Sequence, residues 1–338
     1  MRILLVMDPG ILVPPKGYGG HERLVYMFAK EYAQLGHEVH LLVTKGSEVE
    51  NCTVHSFGKE GFPPPKIDSL LAMPTAWLFL MQHKNSFDLI HNFGRLAYLL
   101  PILNHSIKKI MTYGREITSR NISMITKLPN RNLFFTGCSS NLISRIETSG
   151  NWTTVYNAID FNSYTLCTKV DSDAPLMFLG RIEKVKGAHN AIIVAKATGN
   201  KLILAGNISP LPEEQLYFKN EIEPYIDGVK IIYLGALNDE QKNKWLGLSK
   251  VLLFPIEWNE PFGMVMVEAM ACGTPVIAFN RGSVEEVISE GKTGFVVDDI
   301  SQMITAVKVI DQINRSDCRE LAKIKFHVKV IAEQYLSL

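Results

Sequence analysis

The strongest constraint on the fold of this chain is a regular alternation of short apolar runs with amphipathic segments, which occurs twice. In the first half, runs rich in β-branched and aromatic residues predict strands at 2–7, 37–44, 52–57, 88–93, 109–113, 133–139 and 153–157. Helices are predicted over 22–35, 68–84 and 139–148. This alternation is typical of parallel sheets with helices on both faces.

The same pattern starts again after residue 174. Strands are predicted at 175–181, 201–206, 229–235, 250–256, 275–279 and 294–297. Helices are predicted over 186–198, 214–224, 238–248, 262–272, 283–290 and 300–313, and a terminal helix over 318–338. The polar stretch 160–174 predicts a linker. We therefore expect two Rossmann-like, doubly wound α/β domains, 1–165 and 172–317, which face a cleft and bind ligands at the carboxyl ends of their strands.

Composition excludes several classes of protein. A chain of 338 residues is long enough for two domains with separate cores. The formal net charge of +1 excludes a strongly basic nucleic-acid-binding protein, so no nucleic-acid partner is expected. The five cysteines are odd in number and contain no C-x-x-C pair, which argues against disulfides or a zinc site. This cysteine usage predicts a reducing compartment, and we expect a cytoplasmic location.

One apolar segment raises the question of a membrane. The sequence SLLAMPTAWLFLM at 69–81 contains Pro74 and is too short to span a bilayer. Two interpretations stay open for it: a buried helix, and a surface in peripheral contact with the inner face of a membrane.

Two basic residues stand at the carboxyl end of the first strand of the second half. Arg181 directly follows this predicted strand, and Lys186 opens the next helix in the sequence LGRIEKVKG. Cations beside a helix N-terminus suit a diphosphate, because backbone N–H groups and the helix dipole add to their charge. An exposed charged turn is the alternative, since Glu183 and Lys184 dilute the basic character.

Two carboxylates follow the predicted strand 250–256, in the sequence EWNEPFGMVMVEAMACG. Glu260 lies in the loop, and Pro261 is predicted to begin the next helix. Glu268 is the one charged residue of that helix, which is otherwise apolar or small. Such a helix is usually buried, and a buried carboxylate needs partners. Sugar and ribose hydroxyls are suitable donors, and the alternative is an ion pair with Arg181 or Arg281.

A glycine-rich loop, PPKGYGGHERL at 14–24, lies between the first strand and the first helix. Gly19 and Gly20 would let the backbone approach a ligand closely. The spacing does not fit the dinucleotide fingerprint G-x-G-x-x-G, because Glu22 stands in the third glycine's place. An ordinary strand-to-helix turn is the alternative interpretation.

Together these motifs resemble glycosyltransferase family 4, retaining enzymes of the two-domain GT-B fold. GRIEKVKG is similar to the family's G-R-x-x-x-x-K-G. EPFGMVMVEAMACGTPVIA is similar to its E-x-F-G-x-x-x-x-E block, followed by A-x-A-x-G-x-P-V-I-A. YGGHE resembles the family's N-terminal glycine pair, and VYNAIDF resembles its V-x-N-G-V-D-x segment with Ala158 in place of the glycine. The resemblance covers essentially the whole chain.

The resemblance implies a role for each matching residue. Arg181 and Lys186 would bind the donor diphosphate, Glu260 would hold hydroxyls of the transferred sugar, and these three form the catalytic set. Glu268 would accept hydrogen bonds from the nucleotide ribose. The remaining donor-binding residues, which would act through their backbones, are Gly19, Gly20, Phe262, Gly263 and Met264. The terminal helix would cross back onto the first domain.

The chain departs from the family in one place. Family members often carry a histidine near the donor sugar, two residues after a threonine at the end of a first-domain strand. In MTYGREI, at 111–117, Thr112 is followed two residues later by Gly114. The acceptor-side candidates are therefore the neighbours Tyr113, Arg115 and Glu116, together with His91, for which a structural role is the alternative.

The implied reaction moves a hexosyl unit from a nucleotide-diphosphate sugar to an acceptor hydroxyl with retained configuration. It would need no metal or cofactor, and it would serve polysaccharide or glycoconjugate synthesis. The acceptor would be a saccharide or a lipid-linked saccharide. Three alternatives stay open: a GT-B nucleotide-sugar epimerase, an NAD-dependent oxidoreductase, and a non-catalytic sugar-nucleotide-binding protein.

Overall fold

The structure of the chain is a computed structural model, and it describes residues 1–17, 19–61, 66–146 and 150–338. The chain divides into two compact units. Unit 1 contains Met1–Ala158 and Val328–Leu338, and unit 2 contains Ile159–His327. The stretch 160–174, which was predicted to be a linker, therefore lies within unit 2.

The described part of unit 1 contains seven strands: β1 (Arg2–Val6), β2 (Glu38–Val43), β3 (Thr53–Ser56), β4 (Leu89–Asn92), β5 (Lys108–Tyr113), β6 (Leu133–Gly137) and β7 (Trp152–Thr154). They form a parallel sheet in the order β3-β2-β1-β4-β5-β6-β7. The strand order reverses between β1 and β4, and ligands of such sheets bind at this switch point. Residues Ile3 to Val6 are fully buried, which explains why β1 is apolar at successive positions.

The helices described in unit 1 are α1 (Gly20–Gln34), α2 (Lys66–His83), α3 (Ser119–Thr126), α4 (Ser140–Ser144) and, after unit 2, α12 (Val328–Ser337). A 3₁₀ helix, Leu96–Ile102, precedes β5. This 3₁₀ helix and α3 were not predicted, because Pro101 interrupts the first and the second begins with a polar turn. The predicted helix 139–148 is shorter than expected, and its residues 147 and 148 lie outside the described residues.

The apolar segment 69–81 lies in α2, which packs one side on the core of unit 1. Ala72, Ala76 and Leu80 are buried there. Leu70 and Leu78, in contrast, are 76% and 54% exposed. Across the described ranges, no helix has both the length and the apolar character that crossing a bilayer requires.

The strands of unit 2 are β8 (Leu176–Leu179), β9 (Leu202–Ala205), β10 (Ile231–Tyr233), β11 (Val251–Phe254), β12 (Val276–Phe279) and β13 (Gly294–Val297). They form a second parallel sheet in the order β10-β9-β8-β11-β12-β13. Its switch point lies between β8 and β11, where Leu252 is in register with Met177. Both sheets confirm the predicted α/β fold class of two doubly wound units.

The helices of unit 2 are α5 (Ala188–Thr198), α6 (Pro212–Tyr217), α7 (Asp239–Leu248), α8 (Met264–Ala271), α9 (Val284–Val287), α10 (Ile300–Val309) and α11 (Arg315–Phe326). The predicted start of α8 at Pro261 is wrong by three residues. Gly263 is the N-cap and has a left-handed backbone, with φ of 77°, so Pro261 and Phe262 belong to the loop. Glycine adopts this conformation without a steric penalty.

The predicted terminal helix 318–338 is in fact two helices, α11 and α12. His327 separates them with extended backbone, φ −65° and ψ 137°. It pairs there with Ile159, whose N–H donates to the carbonyl of Phe326. Because the Phe326 carbonyl accepts this β-type hydrogen bond and His327 is extended, the helical pattern of α11 does not continue past Phe326.

The prediction of a linker at 160–174 is wrong because arginines of α11 hold this stretch against unit 2. Arg319 Nη2 donates to the carbonyl of Phe161 at 2.7 Å. Arg315 Nε donates to the carbonyl of Cys167 at 2.6 Å. Phe161 is fully buried, so a polar-looking sequence here forms ordered structure.

Candidate active site

The loop after β8 places its two cations differently. The side chain of Arg181 is 53% exposed, and its Nη1 lies 2.7 Å from Glu183 Oε1. Lys186 ends a short 3₁₀ turn, Lys184–Lys186, directly before α5, and its side chain is only 14% exposed. A Cβ atom at Gly187 would lie 1.9 Å from the carbonyl oxygen of Pro255, so the turn packs closely against the end of β11.

This close packing brings Lys186 to Glu260 across the switch point. Lys186 Nζ lies 2.5 Å from Glu260 Oε2. Trp258 Nε1 donates to the same oxygen at 2.8 Å, and the ammonium lies 4.7 Å from the centre of the indole ring. Charge-assisted hydrogen bonds and a cation–π contact therefore fix the pair. In the described residues, Glu260 Oε1 has no hydrogen-bond partner.

The backbone of Glu260 is positioned by the loop after β12. The N–H of Ser283 donates to the Glu260 carbonyl at 3.1 Å. Gly282 has φ of 63°, and a Cβ atom there would lie 2.2 Å from the same carbonyl oxygen. No local sequence pattern predicts this support, because Gly282 and Glu260 lie in separate loops that are distant along the chain.

Glu268 is 8% exposed and has two partners in unit 2. Lys242 Nζ of α7 lies 2.7 Å from Glu268 Oε1, and Tyr164 Oη donates to that oxygen at 3.0 Å. The alternative partners Arg181 and Arg281 do not contact it in the described structure. Both bonds use Oε1, and no described residue bonds Oε2.

The start of α8 contributes backbone groups rather than side chains. Phe262 is 2% exposed, and its ring packs edge-on against Phe326 at 5.6 Å between centroids. Among the described residues, no side chain caps the N-terminus of α8 at Gly263. The first N–H groups of a helix have no partners within the helix, so Met264 begins a turn that suits an anion.

Unit 1 has a cavity of about 610 Å³ near the carboxyl ends of β4 and β5. Three acceptor-side candidates, Tyr113, Arg115 and Glu116, line it together with His21 and apolar residues of α3. Burial raises the pKa of Tyr113 well above its ordinary value. Gly19 and Gly20 form the start of α1, where no described atom lies within 4 Å of a Cβ built on Gly20.

His91 does not belong to this group, and the expectation that it contacts an acceptor is wrong. It is fully buried in unit 1. Its Nδ1 lies 3.0 Å from Tyr32 Oη, and its Nε2 lies 2.8 Å from Thr112 Oγ1. Burial lowers the pKa of His91 to about 3. The structural alternative is the one that the contacts support.

Two parallel α/β sheets, of which the second has cations and carboxylates at the carboxyl ends of its central strands, have the architecture of the GT-B class. A family model for Glycosyl transferases group 1 matches residues 168–325, and one for Glycosyltransferase Family 4 matches residues 18–113. The chain belongs to the GT-B glycosyltransferases of the family 4 type.

Individual proteins are similar to this chain in sequence or in fold. The putative glycosyltransferase YtcC of Bacillus subtilis is 30% identical over 68% of this chain and 64% of that relative. The chain thus spans less than two thirds of that relative's length. The lipopolysaccharide 1,2-N-acetylglucosaminetransferase of Salmonella typhimurium is 22% identical over 93% of this chain and 89% of that relative. HepE of Anabaena, solved with UDP-glucose, has a TM-score of 0.71 at 18% identity and covers 100% of this chain and 98% of that chain.

Proposed function

We propose that the protein transfers a hexosyl unit from a nucleotide-diphosphate sugar to an acceptor hydroxyl, with retention of configuration. The observation that carries this proposal is the Lys186–Glu260 pair, with its N–O distance of 2.5 Å at the switch point of unit 2. The relatives' printed names support it, since one transfers a sugar to lipopolysaccharide and another binds UDP-glucose. We place the reaction in polysaccharide or glycoconjugate synthesis.

Each side chain then has a defined task at the donor. Arg181 and Lys186 bind the diphosphate and stabilise the charge that develops as it leaves. Glu260 keeps Oε1 for hydroxyls of the sugar, while Lys186 and Trp258 hold Oε2. Glu268 accepts a ribose hydroxyl at Oε2, while Lys242 and Tyr164 neutralise and orient the carboxylate through Oε1.

The chemistry needs no protein base. The bond between the anomeric carbon and the phosphate oxygen breaks, the acceptor oxygen bonds to that carbon, and the departing phosphate accepts the acceptor's proton. The proposal assigns no task to a metal or cofactor, because Arg181 and Lys186 supply the positive charge.

The acceptor is proposed to be a saccharide or a lipid-linked saccharide, bound by unit 1. Arg115 and Lys127 give its cavity basic groups, and Met124, which is 60% exposed, gives it an apolar rim. The exposed apolar residues of α2, Leu70 and Leu78 among them, support peripheral contact with the inner face of a membrane. We propose a cytoplasmic location because of the cysteine usage described above.

The test begins with a panel of nucleotide sugars in thermal unfolding, since a bound donor stabilises the folded protein by mass action. The donor so identified is used in a transfer assay with Lys186→Met and Glu260→Gln. Both variants should lose transfer by about 10²-fold or more, because each removes a group that stabilises the transition state.

The matched control is Lys250→Met. The side chain of Lys250 is 15% exposed and forms an ion pair with Asp311 at 2.8 Å. Lys250 directly precedes β11 and therefore lies at the amino ends of the strands, whereas the site lies at their carboxyl ends. Lys250→Met should retain transfer. Equal activity of Lys186→Met and wild type would contradict the assignment. Formation of an isomerised nucleotide sugar in the absence of acceptor would identify an epimerase. Binding of the nucleotide sugar without any turnover would identify a non-catalytic binding protein.

A further inference from the structure

The missing histidine at position 114 has a counterpart in the structure. A Cβ atom built on Gly114 would lie 2.3 Å from His21 Nε2, and 3.1 and 3.2 Å from two ring carbons. The imidazole of His21 therefore occupies the volume into which a side chain at position 114 would project. A histidine side chain at position 114 would therefore clash with the imidazole of His21 in its present position.

His21 reaches this position from the first turn of α1, directly after the glycine pair. It lines the unit 1 cavity together with Gly114 and Arg115. Burial and the charge of Arg115 lower the pKa of His21, while a hydrogen bond with the backbone of Gly114 and the charge of Asp8 act in the opposite direction. The ring is therefore neutral near pH 7, with one donor and one acceptor nitrogen.

We infer that His21 supplies from α1 the imidazole that the family places at position 114, and that it hydrogen-bonds a hydroxyl of the sugar substrate in the unit 1 cavity. This inference rests on the proposed function. The ring lies against Gly114 and lines the cavity, so a substrate hydroxyl in the cavity can reach a ring nitrogen. Gly114 is then required for its lack of a side chain.

The experiment is a double-mutant cycle on positions 21 and 114, with the donor identified above. His21→Ala should lower kcat/KM about tenfold or more through the lost hydrogen bond. Gly114→Ala should lower it similarly, because the new methyl group displaces the ring. The double variant His21→Ala/Gly114→Ala should be no worse than His21→Ala alone, since the two changes remove the same contact.

Relocation of the ring provides the sharper test. The double variant His21→Ala/Gly114→His should regain activity relative to His21→Ala, whereas a merely structural histidine at 21 would give no such rescue. His21→Gln, which keeps a side-chain N–H, should be intermediate. Gly17→Ala is the control, since no described atom lies within 4 Å of its added Cβ. Thermal unfolding of every variant reports whether the fold is intact.

The outcomes separate the two proposals. A folded, active wild type with unaffected His21→Ala would overturn this inference and leave the transferase proposal standing. Additive losses in the cycle, or no rescue by Gly114→His in a folded double variant, would also overturn it. A wild type without turnover of any nucleotide sugar would overturn the proposed function, and this inference with it.

Discussion

At the scale of single residues, His91 links several elements of unit 1 through its two ring nitrogens. Tyr32 of α1 bonds one nitrogen, and Thr112 of β5 bonds the other. Thr112 in turn lies 2.8 Å from Thr136 of β6. A buried polar network of this kind stabilises the fold only while its histidine is neutral, because the buried charged form is poorly solvated.

This network predicts how stability depends on pH. The folded pKa of His91 is lowered to about 3, so the unfolded chain binds this proton first as pH falls below about 6.5. The contribution of neutral His91 is complete above pH 6.5 and should shrink by about 2 kcal/mol at pH 5. His91→Gln should lower the free energy of unfolding at pH 7.5, and the deficit should narrow by that amount at pH 5.

Urea unfolding of both proteins at the two pH values measures the difference directly. His105→Gln, a change at a histidine with greater exposure, is the comparison and should show little narrowing. A deficit that is the same at both pH values would show that His91 titrates alike in the folded and unfolded chains.

At the scale of elements, the loop after β12 supports the loop that carries Glu260. Gly282 combines a left-handed backbone with close contact to Glu260, whereas Gly291 has a similar φ of 68° and no atom within 4 Å of an added Cβ in the described structure. Alanine at either position strains the backbone by about 1 kcal/mol. Only alanine at 282 also displaces Glu260.

Gly282→Ala should therefore destabilise the protein more than Gly291→Ala and should lower sugar transfer, while Gly291→Ala leaves transfer unchanged. Thermal unfolding and the transfer assay, run on both variants, separate backbone strain from displacement. Unchanged transfer in a folded Gly282→Ala protein would show that the loop does not position the carboxylate.

Most strands and several candidate site residues could be predicted from the sequence, whereas the partners of those residues could not. The central strands were predictable because both sheets bury them on two faces, which gives continuous apolar runs such as RILLV. The sequence singled out Arg181, Lys186 and Glu260 as candidates because strand ends and helix starts have sequence signals, and Glu268 because it is the one charged residue of an apolar helix. Lys242 and Tyr164 were missed because each reaches Glu268 through a fold contact between segments that are distant in the chain. Trp258 lies two residues before Glu260, but this spacing alone does not indicate a hydrogen bond between the two side chains.

At the scale of the whole molecule, unit 1 is built from two separate stretches of the chain. Its later stretch, α12, carries Tyr335, which is 1% exposed and packs edge-on against Phe28 at 5.3 Å. The ring centroid of Tyr335 lies 4.4 Å from that of His91. Burial raises the pKa of Tyr335 to about 12, while the neighbouring hydroxyls of Thr112 and Thr136 act in the opposite direction. The polar network of unit 1 is therefore complete only when α12 is present.

Tyr335→Ala should destabilise unit 1 by about 3–5 kcal/mol, as expected for the loss of a buried aromatic side chain. Thiol labelling resolved by mass spectrometry can follow the units separately, because Cys138 of unit 1 and Cys318 of unit 2 are both buried. Labelling of Cys138 should accelerate more than that of Cys318. Glu333→Ala, at an exposed position of the same helix, should change neither rate.

Because the chain returns to unit 1 only after unit 2, unit 1 cannot be completed until unit 2 has been synthesised. Ribosomes finish every residue of unit 2 before they add Tyr335, a delay of roughly ten to thirty seconds at ordinary elongation speeds. During that interval the apolar surface of α1 that α12 later covers, which includes Phe28, is exposed. Chaperones bind exposed apolar surface of this kind. A chain whose synthesis stops before α12 would contain all of unit 2 but would lack the helix that completes unit 1.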